Sequence, residues 1–434
     1  MSGLKILFMA FFMLPSFFTF AQTLQGSFFK TKITLKKGSA IGGYIERFAP
    51  DIDWKKKSFS FYEKSQGTLD ENYARGLILK QQKELFLFLA LDTVGVDRKF
   101  KKALFEKIKN LGFRSKNIII SANHTHSGPG GLTENFFWEL LAMDRFQKDN
   151  FDRILFKIQT DIKVALSRLE KVSLKHMSFK TKGLQVNRRT NVNVDEQAHV
   201  IMVKSLKGKK KLGGIINYAI HGTALDAKNL EYSSDIPGAI VAKLENYFLT
   251  KKQKPIFLFT QGASGDIAPI ENGISALTNI SNKFLGQFLK NRFRFRTLKN
   301  TISVETHKLK LGRSFLNIKK CMNFNQQIDI GLQEKVGRNI NLFLPKSSVL
   351  NTIKLGKLLI LTIPGELTSS NGNILLKALK RSHKDTIIQG LSNDYLGYFT
   401  STDEFNSGGY EACASFYKDF GAKSIIQTYK GHLL

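Results

Sequence analysis

Several short apolar segments, each bounded by polar or glycine-containing turns, constrain the fold of this chain more than any other feature. They span residues 85–91, 118–120, 215–220, 256–259, 358–363 and 386–391. Strands buried on both faces have such continuous hydrophobic runs, whereas strands with one solvent-exposed face alternate apolar and polar residues. Residues 98–111 and 151–169 carry apolar side chains at helical spacing. Strands that alternate with helices predict an α/β fold built in layers.

Length and composition favour one large folded unit. The chain has 434 residues, of which 42% are hydrophobic, enough for a substantial core. No repeat or proline-rich linker divides it, so the simplest expectation is one domain over residues 22–434. The stretch 300–350 has weaker patterning and is either a subdomain or an insertion. Cys321 and Cys413 are the only cysteines, so the fold depends on its core rather than on a disulfide framework, whether or not they pair.

The first residues predict an export signal. Residues 6–20 form an apolar run, and the small residues Thr19 and Ala21 are placed for cleavage. We therefore expect residues 1–21 to be removed and the mature protein to be periplasmic or secreted. A retained membrane anchor is the weaker alternative, because the run is short for a span.

The net charge of the chain indicates which kinds of partner it could bind. The chain carries 66 Lys and Arg against 35 Asp and Glu, a formal charge of +31. This excess favours anionic surfaces, such as membrane headgroups or polyanions, through long-range attraction. Nucleic acid is the less favoured partner, because the sequence has no nucleic-acid-binding motif and an export signal points away from the genome.

Residues able to bind metals or move protons follow the predicted strands. Ligands in α/β folds usually bind where strands end, so side chains just beyond these segments are candidates for a site. They are His124 and His126 after 118–120, His221 after 215–220, Asp266 after 256–259, Glu366 after 358–363, and Tyr395 and Tyr398 after 386–391.

The spacing of two histidines favours a metal site. His124 and His126 are two residues apart, so their rings project to the same side of an extended segment, and the glycines at 128–131 permit close backbone approach. With His221 and Glu366 they make the mixture of imidazoles and carboxylate that catalytic zinc sites use. The competing interpretation is that each is a hydrogen-bonded structural residue. The other histidines do not lie among candidate ligands in this way, and we interpret them as structural or surface residues. They are His176, His199, His307, His383 and His432.

A series of motifs resembles the neutral ceramidases, non-lysosomal enzymes that hydrolyse the amide of N-acylsphingosine. SANHTHSGPGG, which begins at Ser121, is similar to the S-A-T-H-T-H-S-G-P-G-G block of that family. Further blocks follow in the family's order, over nearly all of the mature chain. They are NRR at 187–189, HGTAL at 221–225, SSDIPG at 233–238, QGASGDIAP at 261–269, IPGE at 363–366, NDYLGYFTSTDEF at 393–405 and YEACAS at 410–415, with GTLDENYARGLIL at 67–79 before them.

The resemblance implies a catalytic domain of layered, mixed β-sheets flanked by helices, and it assigns roles to residues at the matching positions. The zinc ligands it implies are His124, His221, Glu366 and Tyr398. The residues it implies around the scissile amide are His126, which binds substrate or shuttles a proton, and Arg188 and Tyr410, which stabilise the oxyanion.

Two departures from the family affect what the resemblance implies. Ala268 occupies the position of a serine once viewed as the nucleophile, and Ile270 replaces an asparagine. If a zinc-activated water attacks the amide, loss of the serine hydroxyl removes a hydrogen bond but leaves the mechanism intact. The second departure is the expected absence of the family's C-terminal immunoglobulin-like domain, which bears on lipid access and substrate identity.

Three functions follow from these features. The first is hydrolysis of the amide of ceramide or a related N-acyl lipid by zinc-activated water, at a membrane surface that the positive charge favours. The second is hydrolysis of another amide or ester on the same fold, because fold likeness alone does not set the substrate. The third is a catalytically altered, lipid-binding homologue, motivated by Ala268 and the high charge.

Overall fold

The computed structural model describes residues 23–53, 58–189, 194–208, 210–315, 340 and 342–434. The expected export signal and Cys321 lie outside these residues, whereas Cys413 ends a short helix. Within the described ranges, no helix is long and apolar enough to cross a membrane.

Strands dominate the described chain. In order they are β1 (Leu24–Lys32), β2 (Ile41–Gly42), β3 (Phe48–Asp53), β4 (Ser58–Tyr62), β5 (Gly67–Thr68), β6 (Tyr73–Gln81), β7 (Glu84–Leu91), β8 (Phe113–Ala122), β9 (Gly128–Pro129), β10 (Glu170–Lys180), β11 (Gln185–Asn187), β12 (Gln197–Ser205), β13 (Lys211–Tyr218), β14 (Glu231–Tyr232), β15 (Ile256–Gln261), β16 (Ile267–Pro269), β17 (Arg296–Thr297), β18 (Ile302–Lys310), β19 (Ser347–Leu355), β20 (Leu358–Thr362), β21 (Glu366–Leu367), β22 (Thr386–Gln389) and β23 (Tyr398–Phe399).

Helices connect and cover the strands. The α-helices are α1 (Arg98–Ile108), α2 (Phe136–Trp138), α3 (Lys148–Ser167), α4 (Asp235–Phe248), α5 (Ile274–Asn291), α6 (Ser369–Leu379), α7 (Thr402–Ser407), α8 (Tyr410–Cys413) and α9 (Lys418–Leu433). Short 3-10 turns occur at Ile45–Arg47, Lys109–Leu111 and Arg292–Arg294, and a π-helical turn at Glu139–Met143.

Two mixed sheets form the centre of the fold. The larger has the order β15-β13-β12-β10-β1-β6-β7-β8, with β17 paired to β10. Its pairs are antiparallel except at the two ends, where β13 and β15 run parallel, as do β7 and β8. The smaller sheet has the order β18-β19-β20-β22, with β20 parallel to β22. Each parallel pair therefore directs two strand ends, and the loops that follow them, to the same edge of its sheet.

The sheets pack face to face between two helical layers. On β7, Phe86 and Phe88 belong to the buried cluster between the sheets together with Ile360 of β20. The alternate residues Leu87 and Leu89 belong to the cluster that includes α1 and α3. Helices α4 and α5 cover the other half of the large sheet, and α6 and α9 cover the small one. These strands are buried on both faces, which explains their continuous apolar runs.

The α/β prediction with layered, mixed sheets is confirmed, and so are the individual segments. The apolar segments coincide with β7, β8, β13, β15, β20 and β22, and the helical patterns with α1 and α3. The weakly patterned stretch 300–350 is not a separate unit in its described part, because it supplies β18 and the start of β19 to the small sheet. In β18, buried and exposed residues alternate along most of the strand, so no apolar run marks it.

Candidate metal centre and active site

Four side chains converge from loops of both sheets. His124 follows β8 and His221 follows β13 in the large sheet, while Glu366 follows β20 and Tyr398 follows β22 in the small one. Glu366 and Tyr398 are themselves paired across the short parallel strands β21 and β23. All four are at most 4% exposed, so their side chains are buried.

Their atoms have the spacing of a shared metal ligand set. Oε2 of Glu366 lies 3.1 Å from Nε2 of His124 and 3.1 Å from Nε2 of His221. The hydroxyl of Tyr398 lies 3.4 Å from the same nitrogen of His221. Two ligands that are each about 2.0–2.1 Å from a tetrahedral zinc ion lie about 3.3 Å apart. The buried Oε2 atom has no hydrogen-bond partner, and a cation among these four atoms would satisfy it.

Hydrogen bonds to the backbone orient the rings of His124 and His221. Nδ1 of His124 lies 2.6 Å from the carbonyl oxygen of Val94, and Nδ1 of His221 lies 2.8 Å from that of Ile267. Each ring thus donates its proton to the backbone and directs the lone pair of Nε2 at Glu366. The arrangement is that of metal-binding histidines.

Backbone geometry brings the two histidine loops together. His124 adopts a left-handed conformation with φ 69°, which is rare for a residue with a side chain and occurs at functional sites. Its loop pairs with the His221 loop through a bridge between Thr125 and Gly222. A Cβ atom at Gly222 would lie 2.7 Å from the carbonyl oxygen of His124, so only glycine permits this approach.

Electrostatics keep the centre ready for a cation. Burial would raise the pKa of Glu366, but the neighbouring His124 and His221 hold it well below its usual range, so the group is an anion. Burial, with Arg188 nearby, lowers the pKa of His221 to about 4, so that imidazole is neutral and can bind a metal. Burial and the Glu366 charge raise the pKa of Tyr398 well above its ordinary value.

His126 lies next to His124 but differs from it in its hydrogen bonds. Its Nε2 lies 3.4 Å from Nε2 of His124, and its buried Nδ1 has no hydrogen-bond partner. The ligand nitrogens of His124, His126 and His221 all lie within 4.8 Å of one another, so three imidazoles could hold a metal. Burial lowers the pKa of His126 well below its ordinary value, as do the adjacent histidines. Nδ1 of His124 and of His221 bonds to a backbone carbonyl oxygen, whereas Nδ1 of His126 has no partner.

Arg188 and Tyr410 lie at the mouth of the centre. Nη2 of Arg188 donates to the carbonyl oxygen of Gly265 at 2.5 Å, and Nε forms an ion pair with Glu411 at 3.1 Å. The guanidinium lies 5.6 Å from the centre of the Tyr410 ring, and that ring lies 5.6 Å from the Tyr398 ring. Tyr410 is 59% exposed, so it borders solvent rather than the core.

Two of the sequence candidates have structural roles. The carboxylate of Asp266 accepts hydrogen bonds from Asn187 and from the backbone and hydroxyl of Ser369, so it holds the β11–β16 ribbon against α6. Tyr395, which the sequence places among the candidates because it follows a strand, donates its hydroxyl to Oε1 of Glu366 at 2.7 Å. Ala268 lies on β16, where it pairs with Val186. It comes directly after Ile267, whose carbonyl oxygen accepts the Nδ1 proton of His221.

The interpretation of the other histidines agrees with their contacts. His176 and His199 bond to each other at 3.2 Å, and His307 bonds to Thr352 at 2.9 Å. Among the described residues, the only group of histidine, cysteine and acidic side chains with metal-binding spacing is the one made by the motif histidines.

Sequence reasoning missed two residues that shape the site. Glu411 forms ion pairs with both Arg188 and Arg189, and its place directly after Tyr410 in the YEACAS block was an available signal. Arg47 is 1% exposed and donates to the carbonyl oxygen of His126 at 2.8 Å. It also donates to three carbonyls of the loop 226–229, and no local pattern marks it.

One family model and several known sequences match this chain. The family described as "Neutral/alkaline non-lysosomal ceramidase, N-terminal" matches residues 60–283 and 320–427. Neutral ceramidase A of Dictyostelium discoideum is 25% identical over 176 residues, which is 36% of this chain and 24% of the relative. The neutral ceramidase of Pseudomonas aeruginosa is 25% identical over 170 residues, 36% of this chain and 25% of the relative. The aligned part of the chain therefore spans about a quarter of the length of these relatives.

Two solved structures have the same fold. The crystal structure of neutral ceramidase from Pseudomonas aeruginosa matches with a TM-score of 0.79 at 16% identity, over 94% of this chain and 74% of that one. A structure described as ceramidase complexed with C2 matches with a TM-score of 0.77 at 16% identity, with the same shares of both chains.

Proposed function

Because the chain belongs to the neutral/alkaline non-lysosomal ceramidase family, we propose that it is a zinc-dependent amidohydrolase that cleaves ceramide or a related N-acyl lipid. The observation that carries the proposal is the buried convergence of two oriented imidazoles on an unpaired carboxylate oxygen. The names of the relatives, which are neutral ceramidases, support the substrate class.

The metal would be held by His124, His221, Glu366 and Tyr398. Nitrogen and oxygen donors in this number suit zinc. When bound, zinc supplies Lewis acidity that activates a water molecule and polarises the scissile carbonyl. No nucleophilic side chain is then needed, which is why Ala268 in place of the family serine is compatible with hydrolysis.

The residues at the mouth would act on the substrate. Hydrolysis places negative charge on the carbonyl oxygen, and the guanidinium of Arg188 and the hydroxyl of Tyr410 lie on the side of the centre that could stabilise it. The leaving nitrogen must gain a proton, and Nδ1 of His126 is the unpartnered buried nitrogen that could move one. Glu411 would hold Arg188 in place through their ion pair.

The proposal includes the domain organisation and the location of the enzyme. We propose that residues 22–434 act as one catalytic domain, exported after removal of residues 1–21, with a lipid substrate as its principal partner. The two sheets share one buried cluster and one ligand set, which supports a single domain.

Two histidine variants test the proposal, because they separate metal binding from chemistry. In His124→Ala we expect zinc content and turnover of a fluorescent N-acylsphingosine to fall together. In His126→Ala we expect zinc to stay and turnover to fall about 100-fold or more, the usual contribution of a proton-transferring group. Zinc content is measured by elemental analysis after dialysis, and turnover by product release.

Either histidine could contradict its assigned role. Full activity of metal-free His124→Ala protein would exclude a metal-dependent reaction. Loss of zinc from His126→Ala would make His126 a ligand, as the 4.8 Å grouping of the three rings allows. His199→Ala is the matched control, since it alters a partly buried histidine whose partner is His176, away from the centre, and should change neither quantity.

A further inference from the structure

An exposed apolar ridge lies near the proposed active site. We define the ridge as Phe48, Ile52, Phe59, Phe136 and Phe343. Their exposed fractions are 46%, 50%, 38%, 45% and 40%, in that order, although such large apolar side chains are usually buried. Exposed apolar groups that cluster in this way mark surfaces that bind a partner.

The ridge is continuous rather than scattered. The ring of Phe61 lies at its base, 6.2 Å from Phe48, 4.9 Å from Phe59 and 6.1 Å from Phe136. The ring of Phe136 lies 5.9 Å from that of Phe343, so the apolar surface continues onto Phe343. Ile52 is directly opposite Phe59 in the β3–β4 hairpin, so both side chains lie on one face of it.

The ridge connects to the active site through a single turn of chain. The ring of Tyr44 lies 4.7 Å from that of His126, and the 3-10 turn Ile45–Arg47 links Tyr44 to Phe48. Ile45 on this turn is 51% exposed, which continues the apolar surface towards the site. Arg47 fixes the turn through its bond to the carbonyl oxygen of His126. A partner bound to the ridge would thus lie beside the substrate entrance.

Two basic side chains beside the ridge have acidic partners. Lys64 bonds to Asp51 at 3.1 Å, and Arg145 lies 3.5 Å from Glu139 while its guanidinium is 5.9 Å from the Phe59 ring. We expect the overall formal charge of +31 to attract the molecule to anionic surfaces. An apolar contact surface on a strongly cationic protein is complementary to a layer of anionic lipid, which offers negative headgroups above an apolar interior.

We propose that the ridge docks on an anionic lipid bilayer and sets the mouth of the active site against the membrane. Overall charge would draw the protein to the surface, and the ridge side chains would enter the boundary between headgroups and acyl chains. The inference deepens the proposed function, on which it rests for its lipid substrate. It explains why large apolar groups stay exposed beside the site.

Vesicle flotation tests the ridge without using catalysis. The variant is Phe48→Ser with Ile52→Ser, and the probe is vesicles of phosphatidylcholine with one-third phosphatidylglycerol. The matched control is Phe156→Ser with Phe293→Ser, which are 62% and 82% exposed and lie on α3 and after α5, away from the ridge. We expect the ridge variant to bind vesicles about tenfold more weakly or worse, and the control to bind like the original protein.

A second pair keeps the test decisive if the first variant unfolds. Phe136→Ser with Phe343→Ser removes the other end of the ridge, and thermal unfolding reports folding of each variant. Unchanged vesicle binding by a folded ridge variant would overturn the inference. So would a dimer that dissociates in the ridge variants while vesicle binding persists, because a second copy would then cover the ridge.

The proposed function fails separately from this inference. Absence of amide hydrolysis with ridge-dependent vesicle binding would overturn the function and leave the docking surface. Hydrolysis of vesicle-borne N-acylsphingosine at equal rates by the original protein and the ridge variants would overturn the docking surface and leave the function.

Discussion

At the scale of single residues, the proposed metal centre depends on groups that never touch the metal. Oε1 of Glu366 is bound by the hydroxyl of Tyr395, and this bond leaves Oε2 to face the two imidazoles. Such outer hydrogen bonds usually change metal affinity by about 10- to 100-fold when they are removed.

Tyr395→Phe removes that hydroxyl and leaves Oε1 without its donor. We expect zinc affinity to fall by about 10- to 100-fold with the fold intact, because the carboxylate loses its fixed orientation. Competition with a chromophoric chelator measures the affinity. Tyr417→Phe is the matched control, since its buried hydroxyl donates to the carbonyl oxygen of Pro345. Equal zinc affinity in both variants would contradict a positioning role for Tyr395.

Sequence reasoning reached these residues to different degrees. His124, His126, His221 and Glu366 could be identified because they follow apolar strands, and strand ends collect sites. Tyr398 also follows a predicted strand, but its role as a metal ligand came only from the family resemblance, since a tyrosine beside a core is ordinary.

Arg47 could not be found from the sequence for a different reason. Its partners are backbone carbonyl oxygens far away in the chain, at His126 and at residues 226–229. Carbonyl groups leave no signature in a sequence, so only tertiary structure shows that this arginine joins the two loops.

At the scale of elements, strand β20 links the stability of the fold to the site. Leu361 is fully buried, and Glu366 lies a few residues beyond it. Apolar runs on both faces made β20 predictable, whereas β18 and β19 were not predicted, because polar and apolar residues are interleaved along them. A strand that alternates looks like a loop with scattered hydrophobic residues when no partner strand is known.

Leu361→Ala should cost about 2–5 kcal/mol of unfolding free energy, because it leaves a cavity between the small sheet and its helices. Val349→Ala is the control in the same sheet, and its side chain is 38% exposed. We expect the control to change stability by less than about 1 kcal/mol. Urea unfolding of both variants measures the difference. Equal losses of unfolding free energy in the two variants would mean that the face of β20 that carries Leu361 is not packed in a core.

At the scale of the whole molecule, the proposed ligand set takes residues from both sheets. His124 and His221 come from the large sheet, and Glu366 and Tyr398 come from the small one. A metal bound by all four would therefore depend on the relative position of both sheets. The proposed docking on a lipid surface adds the overall charge of +31 and the exposed ridge to this site.

The most direct test of the central claim is metal analysis of the mature protein together with hydrolysis of a fluorescent N-acylsphingosine, with and without a chelator. We predict about one zinc ion per chain, with turnover that the chelator abolishes and added zinc restores. That result would also show that Ala268 is compatible with activity. Full turnover by protein that contains no metal would contradict the account.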